Sequence, residues 1–211
     1  MDSLQQQSAF APGARLQALR QARIEAVAVG ASAGGVEAVG TLLELLPERY
    51  PAAVVVVVHV PPRGQTALAR VFSYRCRLPV KEAEDKEDIL PGRVYVAPSG
   101  YHLLVETERV FSLSADPPVN YSRPAIDLLF ESAALAWRER LLGIVLTGAN
   151  NDGAEGLRTV RACGGQAWVQ DPAEALATAM PSAALAAAGA DLCLPLAQLA
   201  RQLAELAGQR A

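Results

Sequence analysis

The sequence predicts an α/β protein with a doubly wound, mostly parallel sheet that is flanked by helices. Apolar segments of strand length alternate along the chain with segments whose apolar residues recur at helical spacing. Several strand segments are continuous runs of Val, Ile, Leu and Ala, which is typical of strands buried on both faces of a parallel sheet. Right-handed crossovers between such strands produce the doubly wound arrangement.

The strand segments are short and clearly bounded. The clearest is 53–58, one Ala followed by five Val, which ends directly before His59. Segments 103–106 and 110–113 alternate around a polar turn, and this predicts an antiparallel hairpin at an edge of the sheet. The predicted strands are 26–30, 53–58, 93–97, 103–106, 110–113, 142–146, 166–169 and 192–194.

The helices are recognised by their apolar spacing and by the residues at their ends. Pro47 ends the first helix, Pro124 suits the first turn of another, and the glycines at 164 and 165 close a third. The acidic stretch 82–88 is predicted to be a solvated loop or helix turn. The predicted helices are 36–46, 66–75, 124–138, 154–162, 174–179, 181–188 and 196–206.

Composition and length favour one domain with a large core. The chain has 211 residues and is 51% hydrophobic, and no repeat or internal linker divides it. Residues 1–22 are rich in Gln and Ala and are predicted to be a flexible tail, with the domain spanning 23–211. The three cysteines are far apart and lack CxxC spacing, so no disulfide framework or metal site is expected.

Charge and hydropathy exclude several classes of partner. The net charge is −3 with both signs dispersed and no basic cluster, which gives nucleic-acid binding little support. The first residues lack the apolar core of a signal peptide. The apolar run 52–60 is too short to span a bilayer, so we expect a cytoplasmic protein without membrane insertion.

Three predicted strands end next to residues with useful chemistry: Ser32, His59 and Asp152. The carboxyl ends of parallel strands meet at one edge of the sheet, where ligand sites form. A serine is a weak nucleophile that needs a base to take its proton and a third group to orient that base. The three residues therefore predict the catalytic triad of a serine hydrolase.

The loop around Ser32 supports this interpretation without establishing it. Residues 30–34 read GxSxG, a motif of nucleophiles on a strand–turn–helix. The order Ser, His, Asp differs from that of α/β-hydrolases, in which the acid precedes the histidine. A dinucleotide-binding loop is disfavoured, because His59 stands where that fingerprint needs an acidic residue.

Each triad candidate also has a structural interpretation. Ser32 and Asp152 are residue types that cap helices, and His59 is equally explained as a satisfied polar residue at a strand end. His102, the other histidine, lies near the predicted hairpin and is interpreted as structural.

Long blocks of the chain resemble the catalytic domain of the chemotaxis protein-glutamate methylesterases, the CheB family. The resemblance extends over most of 24–206 in many ordered blocks. They include AVAVGASAGGVEAV at 26–39, VVVVHVPP at 55–62, RPAIDLLFESAA at 123–134, GIVLTGANNDGAEGLRTVRACGG at 143–165 and VQDPAEALATAMPSAAL at 169–185. It implies a doubly wound sheet and serine-hydrolase chemistry without a cofactor.

The resemblance also implies roles for residues. Ser32 matches the family's nucleophile, His59 its base and Asp152 its orienting acid. By analogy of position, the backbone amides near Ala33 and Ala149 are candidates for the oxyanion hole. Candidates for contacting the acidic product or the receptor surface are Arg63 and Arg123, with structural ion pairing as an alternative for Arg123.

Substrate and regulation follow from the same resemblance. The family demethylates glutamate side chains on the cytoplasmic helices of chemoreceptors and deamidates particular glutamines there. Classical members carry an N-terminal receiver domain, and the tail here is too short for one. We therefore expect a stand-alone catalytic domain, for which control by a separate regulatory protein is an option.

The chain departs from the family at the rim of the site. It has Gly148-Ala149-Asn150 where Gly-Met-Gly is typical, Ala33 where Thr often follows the nucleophile, and Val58 where Gln often precedes the histidine. These changes leave two alternatives open: a non-catalytic chemosensory adaptor, and a hydrolase of another ester.

Overall fold

The computed structural model describes residues 23–59 and 68–207. Within them, seven parallel strands form one sheet in the order β3-β4-β2-β1-β7-β8-β9, and β5 and β6 form a separate antiparallel pair. The strands are β1 Ala26–Ala31, β2 Ala53–Val58, β3 Val80–Glu82, β4 Val94–Val96, β5 His102–Val105, β6 Phe111–Ser114, β7 Leu141–Val145, β8 Gln166–Gln170 and β9 Leu192–Leu194. The helices are α1 Gly35–Glu44, α2 Leu68–Ser73, α3 Ile126–Trp137, α4 Ala154–Ala162, α5 Ala179–Ala188 and α6 Leu196–Glu205.

Helices cover both faces of the central sheet. Alternate residues of the buried strands point to opposite faces, and each face packs against its own set of apolar side chains. In β1, Val27 and Val29 face a core shared with α1 and α6, whereas Ala26 and Ala28 face a core shared with α3 and α4. The sheet is therefore buried on both faces, which explains the unbroken apolar runs of its strands.

The predicted fold class is confirmed, and the hairpin is placed differently than expected. β5 and β6 form their own two-stranded sheet instead of extending an edge of the main sheet. The apolar residues Leu103, Val105 and Phe111 belong to the core beneath α3, and the rings of Phe111 and Tyr95 meet edge to face at 5.0 Å. Burial of this apolar side holds the hairpin against the helical layer.

One strand was not predicted, and one local prediction was wrong. Val80–Glu82 forms strand β3 beside β4, and only its last residue, Glu82, belongs to the stretch 82–88 predicted as a loop or helix turn. The predicted helix 174–179 is absent: residues 174–178 form turns and irregular structure, and the helix begins at Ala179. The backbone of this segment hydrogen-bonds to the loop after β7 and not within a helix: the Ala177 amide donates to Thr147 Oγ1, and the Gly148 amide donates to the Ala177 carbonyl. The predicted tail 1–22 lies outside the described residues.

The strand order reverses at β1. Strands β2 and β4 lie on one side of it, and β7 and β8 lie on the other. A crevice forms beyond the carboxyl ends of the strands at such a switch point. The loops after β1 and β7 lie at this end of the sheet, as does His59 directly after β2. In the described parts of the chain, no helix is long and apolar enough to cross a bilayer.

Candidate active site

The loop after β1 holds Ser32 at the switch point. The amide of Ser32 donates to the Thr147 carbonyl at 2.9 Å, which joins this loop to the one after β7. Gly34 has φ +77°, a conformation that glycine adopts without steric cost, and it turns the chain directly into α1. On the other side, the amide of His59 donates to the Ala31 carbonyl at 3.0 Å, so Ser32 and His59 leave adjacent strands side by side.

His59 and Asp152 meet at this edge. His59 Nε2 lies 2.9 Å from Asp152 Oδ2, and the side chains are 12% and 0% exposed. Nε2 makes no hydrogen bond of good geometry within the described residues, so the contact is a close approach of the two groups. A proton on Nε2, next to the carboxylate, leaves Nδ1 as the nitrogen with a free lone pair.

Backbone amides hold the carboxylate of Asp152 in place. Oδ2 accepts the amide of Ile126 at 2.7 Å, and Oδ1 accepts the amide of Asp127 at 3.0 Å, both at the start of α3. Burial by itself would raise the pKa of Asp152, but the contact with His59 and these two amides outweigh burial and hold the pKa below its usual value. Asp152 is therefore an ionised, fixed partner for the imidazole.

The hydroxyl found next to the imidazole is not that of Ser32. Ser122 Oγ lies 3.3 Å from His59 Nδ1, whereas no hydrogen bond joins Ser32 Oγ to the ring within the described residues. With Nε2 protonated, the Ser122 hydroxyl is the donor in this long contact. Ser122 was not predicted, since it lies in a segment without a regular pattern.

Two further residues were missed by sequence reasoning. Asp127 is buried in the first turn of α3, where its Oδ1 accepts the amides of Gly153 and Gly156 at the start of α4. Asn120 donates from Nδ2 to both Asp127 and Asp152. The available signals were an acidic residue in the first turn of a helix and an asparagine in a predicted irregular segment, and both are too common to identify a site.

The two N–H groups predicted for an oxyanion hole have no hydrogen-bond acceptor among the described residues. Neither the Ala33 nor the Ala149 N–H donates a hydrogen bond within the part of the chain that the structure describes, and both residues are exposed. Thr147 Oγ1 donates to the Ala33 carbonyl at 2.9 Å, which holds the peptide between Ala33 and Gly34 in this loop. Both N–H groups are therefore available to a developing negative charge.

The remaining predicted residues do not join this cluster. Arg63 lies outside the described residues. Arg123 donates from Nη1 to the carbonyls of Ala115 and Asp116 at 2.8 and 3.0 Å, which is a structural contact. His102 is fully buried, with Nδ1 accepting the Ala125 amide and Nε2 beside the Pro117 carbonyl, in agreement with the structural role predicted for it.

A doubly wound parallel domain with a serine, a histidine and a buried aspartate at its carboxyl edge has the architecture of a serine-type hydrolase. Comparison with known proteins narrows this class. The chain belongs to the CheB methylesterase family, whose family model matches residues 27–203.

Individual relatives agree with this assignment. A Leptospira interrogans protein with protein-glutamate methylesterase/protein-glutamine glutaminase in its name is 44% identical over 176 residues, covering 83% of this chain and 91% of the relative. A Trichodesmium erythraeum protein of that name is 39% identical over 185 residues, covering 86% of this chain and 52% of the relative. The crystal structure of the Thermotoga maritima CheB methylesterase catalytic domain superposes with TM-score 0.82 at 33% identity, covering 87% and 98% of the two chains.

Proposed function

We propose that this protein is a serine esterase that demethylates glutamate methyl esters on chemoreceptors, with Ser32 as nucleophile, His59 as base and Asp152 as orienting acid. The observation that carries the proposal is the contact of His59 with the buried, ionised Asp152 beside the Ser32 loop, in a chain of the CheB methylesterase family. The relatives' names supply the substrate class.

The proposed first step forms an acyl-enzyme. His59 Nδ1 takes the hydroxyl proton as Ser32 Oγ attacks the ester carbonyl carbon, and the carbonyl electron pair moves onto oxygen. The amides of Ala33 and Ala149 stabilise this oxyanion. The bond to the methoxy group then breaks, and methanol leaves with the proton that His59 returns. Asp152 stabilises the imidazolium that exists between the two proton transfers.

The second step returns the free enzyme. Water gives a proton to His59 as its oxygen attacks the acyl carbon, and Ser32 leaves with that proton. The product is a glutamate carboxylate. Deamidation of glutamine follows the same course, with ammonia in place of methanol. A cytoplasmic location is part of this proposal, because the receptor helices that carry these residues lie there.

The test compares Ser32, the proposed nucleophile, with Ser122, whose hydroxyl lies beside the imidazole. With a methylated receptor fragment as substrate, we expect Ser32→Ala to lower methanol release by at least about 1,000-fold and to abolish labelling by a fluorophosphonate probe. Ser122→Ala is the matched control and should keep both turnover and labelling, because the proposed mechanism assigns Ser122 no covalent role. Loss of labelling in Ser122→Ala but not in Ser32→Ala would reverse the assignment of the nucleophile.

The same experiment separates the alternatives. Receptor binding without Ser32-dependent release of methanol or labelling would indicate a non-catalytic adaptor. Labelling of Ser32 together with turnover of small esters alone would indicate a hydrolase of another substrate.

A further inference from the structure

Two buried aspartates meet where two helices begin. Asp152 precedes α4 and accepts the amides of Ile126 and Asp127 at the start of α3. Asp127 lies in the first turn of α3 and accepts the amides of Gly153 and Gly156 at 2.9 and 2.7 Å. Each carboxylate thus accepts hydrogen bonds from the free N–H groups of the other residue's helix. The N-terminus of a helix is the end that favours negative charge.

This reciprocal arrangement brings two carboxylates together away from water. Asp127 is 6% exposed and Asp152 is fully buried. Like charges in such a site repel each other strongly unless a donor lies between them. The repulsion acts directly on the carboxylate that faces His59, so its orientation depends on what separates the pair.

Asn120 supplies that donor. Its Nδ2 lies 2.9 Å from Asp127 Oδ2 and 3.3 Å from Asp152 Oδ1, and an amide NH₂ has one hydrogen for each acceptor. The residue stands in a two-residue turn between Val119 and Ser122, with φ +50° at Asn120 and +62° at Tyr121. Asparagine tolerates this left-handed conformation better than most residues.

We propose that Asn120 is a positioning residue for the reaction: by bridging Asp127 and Asp152, it keeps the Asp152 carboxylate turned toward His59. This inference rests on the proposed function of the Ser32, His59 and Asp152 site. The same turn carries Ser122 next to the other ring nitrogen of His59. The segment 119–122 therefore contacts both partners of the His59–Asp152 pair.

The turn offers a matched pair of variants. Asn120→Gly removes the bridging amide and keeps a residue that accepts positive φ. Tyr121→Gly introduces a glycine at the next residue of the same turn, where the side chain is fully exposed. We expect Asn120→Gly to lower kcat about 10- to 100-fold with little change in KM, because substrate binding is left intact while the base loses its orientation. Tyr121→Gly should stay within about twofold of the wild type in kcat.

A second variant separates positioning from a general loss of structure. Asn120→Asp has the same shape but places a third carboxylate against Asp127 and Asp152, whose other charged neighbours are Glu131 and His59. We expect its activity, relative to wild type at each pH, to rise as pH falls, because the protonated carboxyl regains a donor. Equal kcat for Asn120→Gly and Tyr121→Gly, or a ratio for Asn120→Asp that does not change with pH, would overturn the proposal.

A readout without turnover distinguishes this inference from the proposed function. The ¹⁵N chemical shifts of the His59 ring report which nitrogen carries the proton and how strongly it is hydrogen-bonded. Asn120→Gly should shift the Nε2 signal, and Tyr121→Gly should leave it unchanged. If wild type releases no methanol, the proposed function fails, while this comparison still decides whether Asn120 positions the pair. Identical His59 spectra in the wild type and Asn120→Gly contradict the bridging role.

Discussion

Asp127 and Asp152 show how environment separates two identical side chains. Burial raises the pKa of Asp127 to about 6, and the nearby charge of Asp152 adds to this effect. The pKa of Asp152 moves the other way, because His59 and the amides of α3 outweigh its burial. When the pair takes up a proton, Asp127 receives it first. Asp152 thus stays charged where His59 needs a negative partner.

A pH-dependent stability follows for Asp127. Its pKa is 3.8 in the unfolded chain and about 6 in the folded protein, so between these values the folded state binds more protons. Its contribution to stability is therefore present at low pH and is lost as pH rises through that window. Relative to Asp127→Asn, the free energy of unfolding of wild type should fall by up to about 3 kcal/mol from pH 4 to pH 7. Urea unfolding at constant ionic strength measures this difference, and a constant difference across the range contradicts it.

Helices α3 and α4 position the acid by packing unusually closely. A Cβ added at Gly156 would lie 2.8 Å from the Asp127 carbonyl oxygen and 2.7 Å from Phe130 Cβ. This approach lets the Gly156 amide reach Asp127 Oδ1 at 2.7 Å. The crossing of the two helices therefore sets the distance between their first turns, and with it the location of both carboxylates.

Gly156→Ala tests this crossing. Alanine favours a helix by about 1 kcal/mol over glycine, but the clash with backbone forces α4 away from α3. We expect a net loss of about 1–3 kcal/mol in the free energy of unfolding and a lower kcat. Gly40→Ala in α1 is the matched control, because its added Cβ would meet only the flexible end of Arg75. Gly156→Ala as stable as Gly40→Ala would show that the crossing tolerates a methyl group.

At the scale of the whole molecule, the candidate site and a half-buried group of ion pairs lie at opposite ends of the sheet's strands. The candidate site occupies the carboxyl edge. At the amino ends of the strands, Glu25 Oε2 lies 2.9 Å from Arg109 Nη1, in the turn of the hairpin, and 3.2 Å from Arg140 Nη1, just before β7. Glu25 is only 18% exposed. One carboxylate thus joins β1, β7 and the separate hairpin, segments that lie far apart in the sequence.

Glu25→Gln measures the contribution of this anchor. Loss of the charge weakens hydrogen bonds to two arginines, and we expect the free energy of unfolding to fall by about 1–2 kcal/mol. Because the site lies at the opposite edge, kcat should be unchanged. Glu37→Gln is the control: its carboxylate lies 2.9 Å from Arg75 Nη1 but is 79% exposed, so water screens the pair and little stability is lost. Equal effects for the two variants would show that burial adds nothing at Glu25.

Sequence reasoning reached the fold because its signals are local. The period of apolar residues distinguishes strands from helices, and unbroken runs such as 53–58 mark strands with two buried faces. Parallel strands then bring the residues after β1, β2 and β7 to one edge, so Ser32, His59 and Asp152 were candidates from sequence, and they remain the proposed triad. Short or irregular segments escaped: β3 has three residues, and its pairing with β4 supplies the order that its own pattern lacks.

By itself, the sequence determined the α/β class, the family and the strand ends that carry the candidate residues. Only the tertiary structure decided which atoms meet there: His59 Nε2 with Asp152, Ser122 next to Nδ1, and Asn120 between two carboxylates. It also decided that the hairpin stands apart from the main sheet. The reason is physical. The spacing of apolar residues can be recognised in a short stretch of sequence, whereas contacts between residues 32 or 63 positions apart exist only once helices and strands have packed.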